Sequence, residues 1–277
     1  MYAFALPILR SVFRRSRQGE IPRLERVLEP GVAPEPSVEK LRQITQTPNN
    51  GYLPLTWPFI AGFKGHLANL TDPSFPLPLA GIVHVKNEIL QKRPIGAGET
   101  LEIICRTEQD LPHPKGIAFS LITEVKAHDE PTWLSRTSVL YRQKRSSPPL
   151  RPPFDIPFDG IGAQNRVWDI PVHVARQYAL LSGDMNPTHL SRWAAAAFGF
   201  DGMIIHGQWI LARIAAEHEE LLRQENLKFA CQFKRPIFLP AQVVYRFWHE
   251  KDVIHFRVLN PQSPTIFAYG TIAAAAS

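Results

Sequence analysis

Ser182-Gly183-Asp184-Met185-Asn186-Pro187-Thr188-His189, followed by Gly199-Phe200 and Met203-Ile204-Ile205-His206-Gly207, decides how this chain is read. The stretch sets a carboxylate and an imidazole five residues apart across a predicted helix start. Asn186 is a favoured N-cap, and Pro187 suits the first helical position, where its missing N–H costs nothing. Thr188 and His189 then fall in the first turn, while Asp184 lies just outside, in a loop that can fold back over the helix end. An acid and a base can thereby face one point in space, as general acid–base chemistry requires. Taken singly, each residue has a plainer reading, since an Asp before Asn-Pro forms turns and a lone His packs or solvates. The fixed offsets, with Ser182-Gly183 before them and His206-Gly207 after, favour a site.

From Tyr178-Ala179 to His189, with Gly199-Phe200 and Ile205-His206-Gly207-Gln208, the sequence resembles the hydratase-2 (MaoC-like) signature. That family comprises (R)-specific enoyl-CoA hydratases and 3-hydroxyacyl-thioester dehydratases, and the likeness runs from about Asp169 to Thr271. It implies a hotdog fold, in which an antiparallel sheet wraps a long central helix. It also implies hydro-lyase chemistry on a CoA- or carrier-protein-linked acyl chain, by syn addition, giving an (R)-3-hydroxyacyl product. Asp184 and His189 would form the acid–base pair, with Asp184 activating water and His189 sharing and delivering the proton; the sequence is compatible with either division. The backbone N–H of Gly207 would stabilise the thioester oxygen, because helix starts carry free N–H groups and glycine permits close approach. Asn186 would cap its helix and hold the loop. His206 would either support the pair or sit as a satisfied buried imidazole. The family's usual apolar residue after His-Gly is Gln208 here, a departure expected to alter the acyl pocket. Ser182 lacks the Gly-x-Ser-x-Gly elbow of a nucleophile and counts as support.

The chain has 277 residues, 44% hydrophobic and 20% charged, ordinary for a globular protein of one large or two modest domains. Its charge of +6, from 31 basic and 25 acidic residues, is too mild and too scattered to indicate nucleic acid, but suits an anionic thioester. Cys105 and Cys231 sit in apolar alternating segments and read as reduced core thiols, which points to the cytoplasm. No segment is apolar for long enough to span a membrane. The basic arm holding Arg10, Arg14, Arg15 and Arg17 reads as docking on the protein's own surface, a transit peptide or surface helix being the alternatives. No His/Cys/Asp grouping has metal-ligand spacing, and no phosphate loop or dinucleotide fingerprint appears, so no cofactor is expected. His66 and His84 are given core or surface roles. Lys234 and Arg235 are the candidate phosphate contacts.

Lys92-Arg93-Pro94-Ile95 recurs as Lys234-Arg235-Pro236-Ile237, 142 residues later. Each copy follows an apolar segment (82–90; 227–233) and precedes another (100–105; 242–247), and helix candidates stand earlier at 57–70 and 207–222. Further strands are predicted at 118–125, 132–141, 253–259 and 265–272. Helix followed by four antiparallel strands, given twice, predicts an α+β tandem (double) hotdog. The predicted divisions are an arm (1–24), a first hotdog (25–145), a Pro-rich linker (146–165) and a second, catalytic hotdog (166–277). The first half also resembles that of double-hotdog MaoC-type dehydratases, through Leu53-Pro54-Leu55-Thr56-Trp57-Pro58, Phe75–His84 and Pro114-Lys115-Gly116. It reads Pro48-Asn49-Asn50-Gly51-Tyr52 where the second half has its acid–base motif. One active centre is therefore expected, in an intramolecular pseudo-dimer for which monomer and homodimer are both open. A thioester hydrolase and a non-catalytic acyl-thioester-binding protein are the alternative functions.

Overall fold

Ten strands form one antiparallel sheet whose order exposes an internal symmetry in the computed structural model, which describes residues 11, 14–16, 19–110, 113, 115–142 and 162–275. The first half gives β1 (Glu25–Val32), β2 (Ile82–Gln91), β3 (Thr100–Gln109), β4 (Gly116–Ala127) and β5 (Glu130–Arg142). The second gives β6 (Gln164–Ile170), β7 (Leu227–Phe233), β8 (Ala241–Glu250), β9 (Val253–Leu259) and β10 (Ile266–Ala274). Across the sheet they run β1-β3-β4-β5-β2-β7-β10-β9-β8-β6. The order of the first five strands is thus repeated, outward from the centre, by the last five. Their junction is β2 against β7, where Glu88 lies opposite Ala230. Those two residues are separated by the same 142 positions as the Lys-Arg-Pro-Ile copies, so a local twofold passes between them.

Two helices of each half obey the same symmetry, and the second half adds a short third. In the first half α1 (Glu35–Thr45) and α2 (Trp57–Thr71) lie between β1 and β2; in the second, α3 (Val172–Ser182), α4 (Arg192–Ala197) and α5 (Gly207–Glu217) lie between β6 and β7. Each central helix is tied just before its start to the turn after the junction strand: Leu53 N–H donates to Ile95 O (2.8 Å), and Ile205 N–H to Ile237 O (3.2 Å). Those acceptors are the isoleucines that end the two repeat copies.

Each half therefore has a strand and a helix ahead of the predicted helix-and-four-strand unit. The added strands β1 and β6 are the two sheet edges and are mostly exposed. An edge strand buries little, so it lacks the alternation that marks β8 and β9, where Val243, Tyr245 and Phe247, and Ile254, Phe256 and Val258, point inward at every second position. The helix predicted over 207–222 ends at Glu217, and Leu221–Arg223 forms a separate 3-10 turn. Strand β6 begins at Gln164, inside the span expected for the linker, whose residues 146–161 lie outside those described. Of the arm, Ser11 and Arg14 rest on the first half: Arg14 donates to Asp72 O (2.9 Å) at the C-terminal end of α2, and Ser11 O accepts from Leu79 N–H (3.0 Å).

One hydrophobic core runs through both halves, joining Leu41, Trp57 and Ile89 to Tyr178, Ile210, Ile214 and Phe229. Polar links cross the same boundary: Trp209 Nε1–H donates to Ile44 O (2.9 Å), Gln91 Nε2–H to Leu222 O (2.7 Å) and Asn50 Nδ2–H to Glu219 (2.7 Å). Cys105 and Cys231 are free and buried, and burial pushes the Cys105 thiol up to about 12. Among the described residues no helix is long and apolar enough to cross a membrane.

The core also holds neutral imidazoles. Burial lowers His66 to about 3, and His84 and His218 to about 4. In the unfolded chain these groups titrate near 6.5, so as pH falls below that value the unfolded state takes up protons first. Their contribution is complete above about 6.5 and is lost progressively towards about 4, and for His66 towards about 3. The melting temperature should fall over this window in a thermal-denaturation series; a flat profile would contradict the buried neutral imidazoles.

Candidate active site

Helix α3 ends because Gly183 adopts the left-handed conformation (φ 77°), its N–H closing onto Ala179 O at 2.9 Å. The chain then reverses into a loop braced almost wholly by its own polar groups. Ser182 Oγ–H donates to Tyr178 O (2.8 Å), and the same oxygen accepts the Asp184 N–H (3.2 Å). Asp184 Oδ1 accepts the Asn186 N–H at 3.3 Å. Asn186 is the N-cap that the sequence predicts, its Oδ1 accepting the Thr188 N–H (3.2 Å) and hydroxyl (3.0 Å). The helix it caps is a single 3-10 turn over Pro187–His189. Ser191 then adopts an extended conformation and caps α4 as a new start.

This loop brings Asp184, His189 and His206 together, with one ligand-type atom of each within 4.8 Å of the others. The two rings stack, their centroids 3.6 Å apart and their planes inclined by 26°. Each ring spends one N–H on a backbone carbonyl: His189 Nδ1 on Ile204 O (2.8 Å) and His206 Nε2 on Asp184 O (3.1 Å). These bonds fix the neutral tautomers, leaving His189 Nε2 and His206 Nδ1 as lone-pair acceptors. His206 Nδ1 has no hydrogen-bond partner among the described residues. Burial lowers both imidazoles; the Asp184 charge and the Ile204 carbonyl partly oppose this at His189, whereas His189 itself lowers His206 further. Tyr178 closes the cluster, its ring 5.0 Å from that of His206 and its hydroxyl pushed up by burial and then by Asp184. A carboxylate with two imidazoles is also a donor set that a transition metal can use. The fold thus assembles a grouping that linear spacing did not reveal.

Helix α5 begins beside these groups. His206 is its N-cap, and its carbonyl accepts from Trp209 N–H (3.1 Å) and Ile210 N–H (3.3 Å). The N–H groups of Gly207 and Gln208 precede that ladder and lie at the positive end of the helix dipole. Gly207 is required by close approach: a Cβ there would meet His84 Nδ1 at 2.7 Å and Phe233 Cζ at 3.3 Å. Gln208 is buried and directed across the halves, its Nε2–H 3.4 Å from Thr137 Oγ1 on β5, which also accepts from Asn87 Nδ2–H (2.7 Å).

The structure brings together Ser182, Asp184, Asn186, His189 and His206, and sets Gly207 and Gln208 at the neighbouring helix start. Lys234 and Arg235 follow β7; the Lys234 ammonium lies over the Tyr269 ring, 5.1 Å from its centroid. His84, given a core or surface role by the sequence, packs beside this helix start. It comes from β2 of the other half, packs on Phe233 with ring centroids 4.5 Å apart, and feels the Asp184 charge, which opposes the burial that lowers it. The only sequence signal was an imidazole at the head of an apolar strand, next to Gly81.

A family model for the MaoC like domain matches residues 165–265. The chain is 31% identical over 191 residues to 3-hydroxyacyl-thioester dehydratase X of Mycobacterium tuberculosis, covering 68% of this chain and 67% of that protein. A crystal structure of HtdX from the same organism superposes with a TM-score of 0.77 at 26% identity, over 90% of this chain and 99% of that one. Another Mycobacterium tuberculosis protein, described as a double hotdog fold, gives a TM-score of 0.53 at 11% identity, over 92% and 96% of the two chains. The fold is a double hotdog and the chain an enzyme of the hydro-lyase class. It belongs to the MaoC-like dehydratase family.

The loop geometry carries two quantitative expectations. Asn186→Ala should cost about 1 kcal/mol of stability through loss of the cap. Gly183→Ala should cost about 1–2 kcal/mol through the left-handed backbone. Thermal or urea denaturation measures both, and an unchanged midpoint for Gly183→Ala would show that the reversal after α3 does not depend on that conformation.

Proposed function

We propose that this enzyme reversibly hydrates 2-enoyl thioesters and dehydrates (R)-3-hydroxyacyl thioesters linked to CoA or an acyl-carrier protein. The observation that carries the reading is a pair of acceptors facing one region: the Asp184 carboxylate and His189 Nε2, the latter bare because Nδ1–H is bound to Ile204 O at 2.8 Å. A water held by both donates one hydrogen to each and keeps a lone pair for C3 of the substrate. As the C3–O bond forms, one water proton passes to the pair and the C2=C3 electrons move onto the thioester oxygen. The N–H of Gly207, at the start of α5, stabilises that enolate-like oxygen. Return of the proton from the pair to C2 restores the carbonyl. Hydroxyl and proton then arrive from the same side, which is syn addition. Asp184 chiefly activates the water, and His189 shares the proton and delivers it. Asn186, Ser182 and His206 hold the pair in place, the first two through the loop and His206 by stacking.

The test is incubation with crotonyl-CoA and longer 2-enoyl-CoAs, following loss of the conjugated-thioester absorbance with a thiol reagent present. Absorbance loss without free thiol is expected; thiol release would instead identify a hydrolase, and loss of neither a binding protein. Asp184→Asn and His189→Ala should each lower turnover by at least about a hundredfold while leaving the fold intact. A near-normal rate in either variant sinks the assignment. Because burial lowers His189, the rate should hold on acidification through the ordinary imidazole range and fall only below it.

A further inference from the structure

Strand β2 is regular in its pairing with β5 except at one point. Lys86 lies opposite Ser138, yet His84 lies opposite Val139, so Val85 is an extra residue on the β2 side. Without that bulge His84 would oppose Leu140 and point away from the helices. With it, His84 shares the face of Val139, and hence of Thr137 and Asn87, the buried inner face of the sheet. The bulge therefore redirects one imidazole to the inside.

The ring is then held in place. Its Nε2–H donates to Lys86 O at 3.1 Å, and its face rests on Phe233 of β7. The remaining atom, Nδ1, occupies the space that a side chain on Gly207 would take, at 2.7 Å from that Cβ position. In an α-helix each Cα–Cβ bond leans towards the N-terminus. The ring thus packs against the first residue of α5, beside the free N–H groups of that helix start. Resting on the reading that Gly207 N–H receives the thioester oxygen, C2 of the acyl chain is the next carbon along.

We infer that His84, supplied by the half lacking the acid–base pair, touches the bound acyl chain and selects thioesters unbranched at C2. The imidazole fills the volume into which a C2 substituent would project. A fixed ring rejects an extra methyl group by overlap, and a smaller side chain would admit it.

The experiment compares linear crotonyl-CoA with its 2-methyl analogue, tigloyl-CoA, in the wild-type enzyme, His84→Ala and His84→Asn. The wild-type enzyme should favour crotonyl-CoA, and both variants should raise the branched-to-linear ratio of kcat/KM by about tenfold or more. A purely structural role would lower both substrates together and leave the ratio unchanged. Binding of butyryl-CoA and 2-methylbutyryl-CoA, measured by calorimetry, gives the same ratio without chemistry. If the wild-type enzyme binds these ligands but hydrates neither enoyl thioester, the proposed hydration fails while the selectivity still tests His84. His84→Asn serves if His84→Ala does not fold. A branched-to-linear ratio within twofold of wild type, by rate and by binding, overturns the inference.

Discussion

The antiparallel pairing of β2 with β7 is the constraint on which the rest of the structure depends. It converts two five-strand sheets into one and buries the inner faces of both junction strands. It also sets the spacing between the halves at the candidate site: His84 on β2 and Phe233 on β7 come into ring contact across it. The start of α5 is wedged against that contact, which is why position 207 has no room for a side chain. The helix start, the imidazole from the other half and the acid–base loop are therefore parts of one rigid arrangement.

Within it, the imidazoles and the carboxylate are oriented by main-chain atoms. Two carbonyls, of Ile204 and Asp184, fix two imidazole tautomers, and a capped turn fixes the carboxylate. Burial keeps these rings neutral, so each presents a lone pair instead of a positive charge. The loop supplies its own hydrogen bonds at Ser182, Asp184 and Asn186, which allows so irregular a segment to lie against a packed core.

Much of this was legible in the sequence because it rests on local rules. Asn186 caps as its side chain dictates. The strands at Leu227–Phe233 and Val253–Leu259 have the predicted bounds. The two Lys-Arg-Pro-Ile copies occupy equivalent turns. What escaped was set by tertiary contact. The edge strands β1 and β6 gain order from hydrogen bonds to one neighbour and show little apolar alternation. The turn at Pro187–His189 stops early because Ser191 starts another helix. The position of His84 beside Gly207 escaped because a bulge changes which face a strand residue occupies, and no residue pattern near Val85 marks it.

The bulge has no counterpart on the other side of the twofold: β7 pairs with β10 without interruption from Leu227 to Phe233. In a dimer of identical subunits any change in a junction strand is made twice, so it must suit both sides or be rejected. Fusing the halves in one chain removes that coupling. One copy of the strand can be reshaped to serve as a wall for the reaction while the other keeps the regular ladder that holds the molecule together. Covalent continuity thus lets each half depart from the shared symmetry on its own.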